Sequence, residues 1–160
     1  MSDSQQDKSG PVTGGCLCGK IRYEADRADY RAACCHCRMC QQITGAPFIS
    51  FIHVAHSSLR FTKGEPKHYQ TTDISDALFC GDCGTTLMIK YYPEYYDATV
   101  VLSPTLDDPN EFPPDKHSGV EGQLHWLKLD DGFPRTKHVD DFIEKWKAGV
   151  DFRELLIPVD

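Results

Sequence analysis

The sequence carries eight cysteines, and all of them fall in three short groups. The first group is Cys16 and Cys18, the third is Cys80 and Cys83, and the second holds the other four between residues 34 and 40. Clustered cysteines form disulfides in exported proteins and bind metal ions, or take part in catalysis, in reducing compartments. The compartment therefore decides how the groups are interpreted.

The first nine residues are polar and lack the apolar core of a secretory signal. No apolar run approaches the roughly 18 residues that a membrane-spanning helix needs. We therefore expect a cytoplasmic protein with no membrane segment, whose cysteines are metal ligands. The net charge of −7 opposes binding to phosphate backbones, and no run rich in lysine or arginine is present, so no nucleic-acid partner is expected.

The length of 160 residues suits one domain. We predict a disordered tail over residues 1–10 and a single zinc-binding domain over residues 11–160. Alternating or β-branched segments predict short strands at residues 20–24, 48–54, 59–62, 85–92, 98–102 and 124–129. The predicted fold class is therefore mainly β, with short antiparallel sheets pinned by zinc.

One or two short helices complete the prediction. Val139, Phe142, Ile143 and Trp146 recur at the spacing of one helical face, and Gly149 stands where such a helix would end. A shorter helix is predicted after Cys40, ending at Gly45.

The third cysteine group predicts half of a zinc site, because two cysteines three residues apart and followed by glycine form a tight turn around one ion. Two partners could complete it. Cys37 and Cys40 would give a zinc ribbon, whereas Cys16 and Cys18 would leave Cys35, Cys37 and Cys40 together. Three protein ligands with an open fourth position are typical of catalytic zinc. Spacing alone leaves both arrangements open.

Three motifs resemble those of the glutathione-dependent formaldehyde-activating enzyme family. They are GGCLCGKIRY at residues 14–23, CHCRMC at residues 35–40 followed by TGA at 44–46, and FCGDCGT at residues 79–85. The sequence LDDP at residues 106–109, His117 and Trp126 also fit the later pattern of the family. The resemblance runs from residue 14 to about residue 140.

The resemblance implies a tent-like β fold with two zinc ions. It assigns Cys16, Cys18, Cys80 and Cys83 to a structural ion, and it assigns Cys35, Cys37 and Cys40 to a second, catalytic ion with a free position. It further implies a carbon–sulfur lyase that joins a thiol such as glutathione to formaldehyde. A coordinating metal deprotonates a thiol outright, which would prepare the sulfur for attack on a carbonyl carbon.

The sequence departs from the family pattern in three places. Gln41 and Gln42 stand where a basic residue often follows the second motif, Cys34 is an extra cysteine beside Cys35, and the motifs do not cover the chain beyond residue 140. The glutamines put a contact to an anionic substrate in doubt. Cys34 is interpreted as either a buried or a redox-sensitive thiol.

Other polar residues carry weaker signals. His36 lies between two predicted ligands and is expected to support them from behind rather than to coordinate. A surface position is predicted for His53, His56, His68 and His138, and a role in a pocket is open for His117 and His125. The tyrosines at residues 91, 92, 95 and 96 are expected to pack in the core and in turns, and Asp107 and Asp108 to form a turn before Pro109.

Two other classes of protein compete with the lyase. A non-catalytic zinc scaffold for a protein partner would not need an open three-cysteine site. A methionine sulfoxide reductase would use two CxxC pairs for the metal, which the CxC spacings at Cys16 and Cys35 fit poorly. The sequence does not decide between a monomer and a homodimer.

Overall fold

A computed structural model of the protein describes residues 10–27 and 31–159. The described residues form twelve strands, β1 to β12, and two α-helices, α1 and α2. The strands are, in order, Val12–Gly15, Arg22–Ala25, Ala32–Cys35, Ile49–Val54, Arg60–Lys63, Lys67–Thr72, Ser75–Phe79, Thr86–Tyr91, Thr99–Leu102, His117–Ser118, Arg135–His138 and Leu156–Val159. The helices are Arg38–Thr44 and Phe142–Lys147. The prediction of a mainly β fold is confirmed.

The strands form two sheets. The smaller sheet has the order β1-β2-β5, and the larger has the order β12-β11-β10-β3-β4-β9-β8-β7-β6. Most neighbours pair antiparallel, as predicted, but β10 is parallel to both β3 and β11. Two-residue β10 therefore joins the C-terminal strands to the centre of the larger sheet.

The centre of the larger sheet is buried on both faces. Ile52, Met88 and Val101 pack towards Val12 and Tyr23 of the smaller sheet in one apolar cluster. On the opposite face a second cluster contains Phe51, Ile89, Val100 and Leu102 together with Cys35 and Cys40. Strands with two buried faces are rich in β-branched and large apolar residues, which explains why β8 and β9 were readily predicted.

Five of the six predicted strands are present with shifts of one or two residues at their ends: β2, β4, β5, β8 and β9. The strand predicted at residues 124–129 is wrong. A turn occupies it, in which the Leu127 amide donates to the Leu124 carbonyl and the Gln123 side chain donates to the Leu127 carbonyl. Trp126 is 70% exposed there. Within the described part of the chain no strand pairs with this segment, so its alternation of residue types did not produce a strand.

Both predicted helices are present. Helix α1 begins earlier than predicted because the Cys37 side chain caps it by accepting from the Cys40 amide, and it ends at Gly45, whose φ is 68°. Helix α2 buries Trp146 against Ile74 and Leu155 in a third apolar cluster that Phe142 and Ile143 also join. Gly149 follows it with a φ of 86°.

Residues 1–9 of the predicted tail lie outside the described residues, and the single domain over residues 11–160 stays a prediction. Within the described part of the chain, neither helix has the length and apolar character needed to cross a membrane.

Candidate metal centre and adjoining cavity

Two loops of similar design present the first set of sulfurs. The loop after β1 closes with the Cys16 amide donating to the Ile21 carbonyl at 3.1 Å, and the loop after β7 closes with the Cys80 amide donating to the Thr85 carbonyl at 2.9 Å. Gly19 and Gly84 take positive φ values in these loops, 71° and 76°. Glycine adopts this left-handed backbone without strain because it carries no Cβ, and each loop can therefore turn tightly enough to close.

The sulfurs of Cys16, Cys18, Cys80 and Cys83 all lie within 4.8 Å of one another. The Cys16 and Cys18 sulfurs are 3.5 Å apart, and those of Cys18 and Cys80 are 3.8 Å apart. A tetrahedron with metal–sulfur bonds of about 2.3 Å has sulfur–sulfur edges of about 3.8 Å. The donor atoms and their spacing therefore fit a metal ion held by four thiolates.

Hydrogen bonds support this four-cysteine set from behind. The Ile21 amide donates to the Cys16 sulfur at 3.2 Å, and the Thr85 hydroxyl lies 3.2 Å from the Cys83 sulfur. The Leu17 amide donates to the same Thr85 hydroxyl at 3.2 Å and so ties the two loops together. The Thr85 side chain, followed by backbone amides, lowers the pKa of Cys83 to about 5, which favours the thiolate that a metal needs.

The second set consists of Cys35, Cys37 and Cys40, whose sulfurs also lie within 4.8 Å of one another. Cys35 ends β3, Cys37 caps α1, and Cys40 lies in the first turn of that helix. Hydrogen bonds from the Cys35 and Cys40 thiols lower the pKa of Cys37 to about 3. The contact with Cys37 in turn raises the pKa of Cys35 to about 12.

The geometry thus groups Cys37 and Cys40 with Cys35, and groups Cys80 and Cys83 with Cys16 and Cys18. A ribbon made from Cys37, Cys40, Cys80 and Cys83 is not the arrangement present. All eight cysteines are free thiols. Cys34, outside both sets, is buried, and burial raises its pKa to about 11, so its thiol is poorly prepared for reaction.

The segment after β10 packs tightly behind the three-cysteine set. The side-chain amide of Gln41 donates to the backbone carbonyls of His36 and Gly122, at 2.9 and 2.8 Å. A Cβ on Gly122 would lie 2.6 Å from the His36 carbonyl oxygen. Gln41 is therefore buried and joins the segment of His36 to the segment of Gly122.

Two buried histidines, His36 and His117, contact each other next to this segment. His36 is fully buried, and its Nε2 lies 2.9 Å from Nδ1 of His117. Nε2 of His117 lies 2.8 Å from the Asp131 carboxylate. Burial, followed by the neighbouring His117, lowers the pKa of His36 to about 4. His36 and His117 support the ligand segment from within the core, while His125 is exposed.

A cavity of about 350 Å³ adjoins the three-cysteine set, and Cys35, Cys37 and Cys40 form part of its wall. Its other walls come from the larger sheet and from the C-terminal segment. Six aromatic residues line it: Phe51, Tyr91, Tyr96, Phe142, Trp146 and Phe152. Burial, followed by the sulfurs of the three-cysteine set, raises the pKa of Tyr91, which lines the same cavity as those cysteines.

Two histidines predicted to lie at the surface, His53 and His138, line this cavity instead. Nδ1 of His138 is 3.0 Å from the Glu121 carboxylate. The position of His53 could have been found, because Ile49, Phe51 and His53 alternate along one face of β4 and all three line the cavity. His138 carried no such signal, since its strand is set by distant pairing.

The remaining sequence predictions have simpler outcomes. His68 is exposed as predicted, whereas His56 is partly buried and lies 2.8 Å from the Thr99 hydroxyl. Asp108 accepts from the Asn110 amide at 3.2 Å and so forms the predicted turn at Pro109. Asp107 accepts from the Thr13 hydroxyl at 2.6 Å and forms an ion pair with Arg22.

The fold and its two all-cysteine sets define the class: a β-rich protein with two groups of sulfurs placed so that each could hold a metal ion. Residues 11–121 match the family described as "Glutathione-dependent formaldehyde-activating enzyme". The chain belongs to this family. The match ends at residue 121, before β11, α2 and β12, so the C-terminal wall of the cavity lies beyond it.

Two similar proteins give further comparisons. A Schizosaccharomyces pombe protein named an uncharacterized lyase is 32% identical over 78 residues, which are 49% of this chain and 56% of that protein. The chain thus matches only about half the length of this relative. A crystal structure of a Rhodobacter sphaeroides protein superposes with a TM-score of 0.48 and 24% identity, over 62% of this chain and 93% of that one.

Proposed function

We propose that the protein is a zinc-dependent carbon–sulfur lyase that joins a thiol to a small aldehyde, or separates the two. The observation that carries the proposal is the position of Cys35, Cys37 and Cys40 in the wall of a cavity. A metal set with a purely structural role needs no adjoining space. Membership of the family and the likeness to the Schizosaccharomyces pombe protein, which is named a lyase, support the same class of reaction.

In the forward direction the sulfur of the thiol forms a bond to the carbonyl carbon. The π electrons of the carbonyl pass to its oxygen, which takes up the proton that the thiol has lost. The product is a hydroxymethyl thioether when the aldehyde is formaldehyde. Atoms and electrons balance without an oxidant or a reductant, and the reverse step releases the thiol and the aldehyde.

The two sets have different roles in this proposal. Cys16, Cys18, Cys80 and Cys83 would hold a structural zinc ion, and Cys35, Cys37 and Cys40 would hold a second ion with a position left for substrate. A zinc ion bound by the three cysteines would supply a charge that keeps a substrate sulfur deprotonated at neutral pH. A cytoplasmic location belongs to the proposal because a reducing compartment keeps the ligand thiols available.

The chain's own residues contribute position and exclusion of water. Cys37 is fixed by the Cys40 amide, which donates to its sulfur at 3.3 Å. The segment behind it is fixed by Gln41, and the aromatic wall limits the water that can approach the reacting atoms. A thiol in the cavity would therefore meet the aldehyde in a restricted orientation.

The test compares Cys37→Ser with Cys34→Ala in the full chain. We expect Cys37→Ser to lose adduct formation between formaldehyde and a panel of thiols, including glutathione and 2-mercaptoethanol, while Cys34→Ala retains it. Product formation is followed by NMR against the uncatalysed reaction. Rates above background that are equal in the wild type and Cys37→Ser would contradict the proposal, as would the absence of catalysis with every thiol.

Elemental analysis should give two zinc ions per chain. One zinc ion per chain would favour a non-catalytic scaffold.

A further inference from the structure

The cavity beside the three-cysteine set has a distinctly apolar wall. The six aromatic side chains are joined by Ile49, Ile89, Val100, Val139 and Ile143. The ring centroids of Tyr91 and Trp146 are 4.9 Å apart, and those of Trp146 and Phe152 are 5.1 Å apart. Flat aromatic walls of this kind favour aromatic ligands, which stack or meet the rings edge to face.

The charges on the wall do not match an anionic ligand. Among the residues that the structure describes, no lysine or arginine lines the cavity. Besides the cysteines and tyrosines, the titratable residues of its lining are His53, Glu121 and His138, and Nδ1 of His138 lies 3.0 Å from the Glu121 carboxylate. The nearby cations Arg31, Lys147 and Arg153 line a separate depression that shares only the wall residues Tyr96, Trp146 and Phe152 with the cavity.

Glutathione carries two carboxylates and one ammonium group. Sites for carboxylates normally supply arginine, lysine or converging amide donors, because an unpaired charge is costly to bury. The cavity offers hydroxyl groups, including those of Thr72, Ser75 and Ser118, and no permanent cation among its described residues. Its chemistry is therefore poorly suited to the glutathione skeleton.

The volume fits a smaller apolar group. An apolar cavity of about 150 Å³ holds one benzene ring. The 350 Å³ here would accommodate a phenyl ring, its connecting carbon and sulfur, and a small aldehyde. Cys35, Cys37 and Cys40 are part of the lining and their sulfurs form one group, so the thiol of such a ligand would be directed towards that group.

We infer that the thiol substrate of this protein is a small, uncharged aromatic thiol, selected by the C-terminal segment from His138 to Phe152. The inference rests on the proposed function for its chemistry. Formaldehyde adds to the sulfur as described above, so the carbon–sulfur bond forms and the thiol proton ends on the new hydroxyl group. The selecting residues lie beyond residue 121, where the family match ends.

Binding can be measured without turnover, because Trp146 lines the cavity while Trp126 lies outside it and is 70% exposed. In a Trp126→Phe background, the emission of Trp146 reports on the cavity alone. We expect phenylmethanethiol and its thiol-free analogue ethylbenzene to change this emission at concentrations where glutathione does not. With formaldehyde, kcat/KM should favour phenylmethanethiol over glutathione by about tenfold or more.

The outcomes separate the two proposals. Binding of both aromatic probes without turnover of any thiol would support the inference about the cavity and contradict the proposed lyase activity. Turnover of glutathione at a kcat/KM equal to or above that of phenylmethanethiol would overturn the inference, while the proposed lyase activity would remain supported. Failure of both aromatic probes to bind would also overturn it.

A charge placed in the wall provides a second measurement. Ile143→Lys adds a cation to the partly buried lining. It should shift the kcat/KM ratio towards glutathione by about tenfold, because the free energy of one charge-assisted hydrogen bond corresponds to a change of about that size. Glu144→Gln changes the net charge equally on a neighbouring exposed residue outside the lining, and it should leave the ratio unchanged. Equal shifts in both variants would overturn the inference.

Discussion

Nε2 of His36 lies 2.9 Å from Nδ1 of His117 inside the core, and the other nitrogen of His117 lies 2.8 Å from the Asp131 carboxylate. With both rings neutral, the carboxylate accepts from His117, and His117 accepts from His36. Nδ1 of His36 then has no partner among the described atoms. This order of donors fixes both ring orientations directly behind the segment that carries Cys35 and Cys37.

Replacing His117 tests the relationship. His117→Leu removes the acceptor of a buried N–H on His36, and we expect the free energy of unfolding to fall by about 2 to 3 kcal/mol. Urea denaturation at constant zinc concentration measures it. The matched control is His125→Leu, because that side chain is exposed, and its effect should stay within about 0.5 kcal/mol. Similar losses in the two variants would contradict a supporting role for the buried pair.

Thr85 joins the two loops of the four-cysteine set. Thr85→Val removes the hydroxyl that lies 3.2 Å from the Cys83 sulfur and accepts from Leu17, so the pKa of Cys83 should rise and zinc should meet stronger competition from protons. We expect about tenfold weaker zinc binding at this set, measured by chelator competition at neutral pH. Thr86→Val is the control, since that hydroxyl donates to the Ile43 carbonyl at 2.9 Å instead. A comparable loss of affinity in the control would refute the assignment.

Gly122 keeps the segment after β10 against the back of the three-cysteine set. In Gly122→Ala the new Cβ would lie 2.6 Å from the His36 carbonyl oxygen, a backbone atom that cannot move freely. We expect a loss of about 1 to 3 kcal/mol in stability and release of one of two zinc ions at lower chelator concentration. The four-cysteine set serves as an internal control. Retention of both ions with wild-type affinity would show that this close approach does not position Cys37.

The buried sheet centre could be predicted from the sequence because β4, β8 and β9 carry their signal locally, as runs of large apolar residues. Strand β3 could not be predicted, because Ala32–Cys35 has only four residues and their small side chains give no clear pattern. β10 has two residues and becomes a strand through its pairing with β3 and β11. Tertiary contacts decide such short elements.

The candidate site also could be predicted only in part from local sequence. The grouping of the cysteines into a set of four and a set of three came from the family resemblance, because spacing left Cys37 and Cys40 free to pair with Cys80 and Cys83. The cavity could not be predicted, since its walls bring β4 together with residues near 140 and 150. The stripe of Phe142, Ile143 and Trp146 predicted a helix face, but it could not show that this face would border the sulfurs of Cys35, Cys37 and Cys40.

His53 should make the protein sensitive to mild acid. Its Nδ1 is buried and has no hydrogen-bond partner among the described residues, and burial lowers the pKa of the ring to about 4, below its ordinary value of about 6.5. Between these values the unfolded chain binds the proton more readily, so the stability that a neutral His53 provides is present above about pH 6.5 and is lost as the pH falls towards 4.

His53→Phe should therefore flatten the dependence of stability on pH. The variant keeps an aromatic ring beside Phe51 and Tyr96 and has no group to protonate. We expect the wild type to lose about 1 to 2 kcal/mol more than the variant between pH 7 and pH 5, measured by urea denaturation with the same zinc concentration at each pH. His68→Gln, a change at an exposed histidine, should keep the wild-type slope. Parallel curves for the wild type and His53→Phe would contradict the prediction, because they would show that folding does not change the pKa of His53.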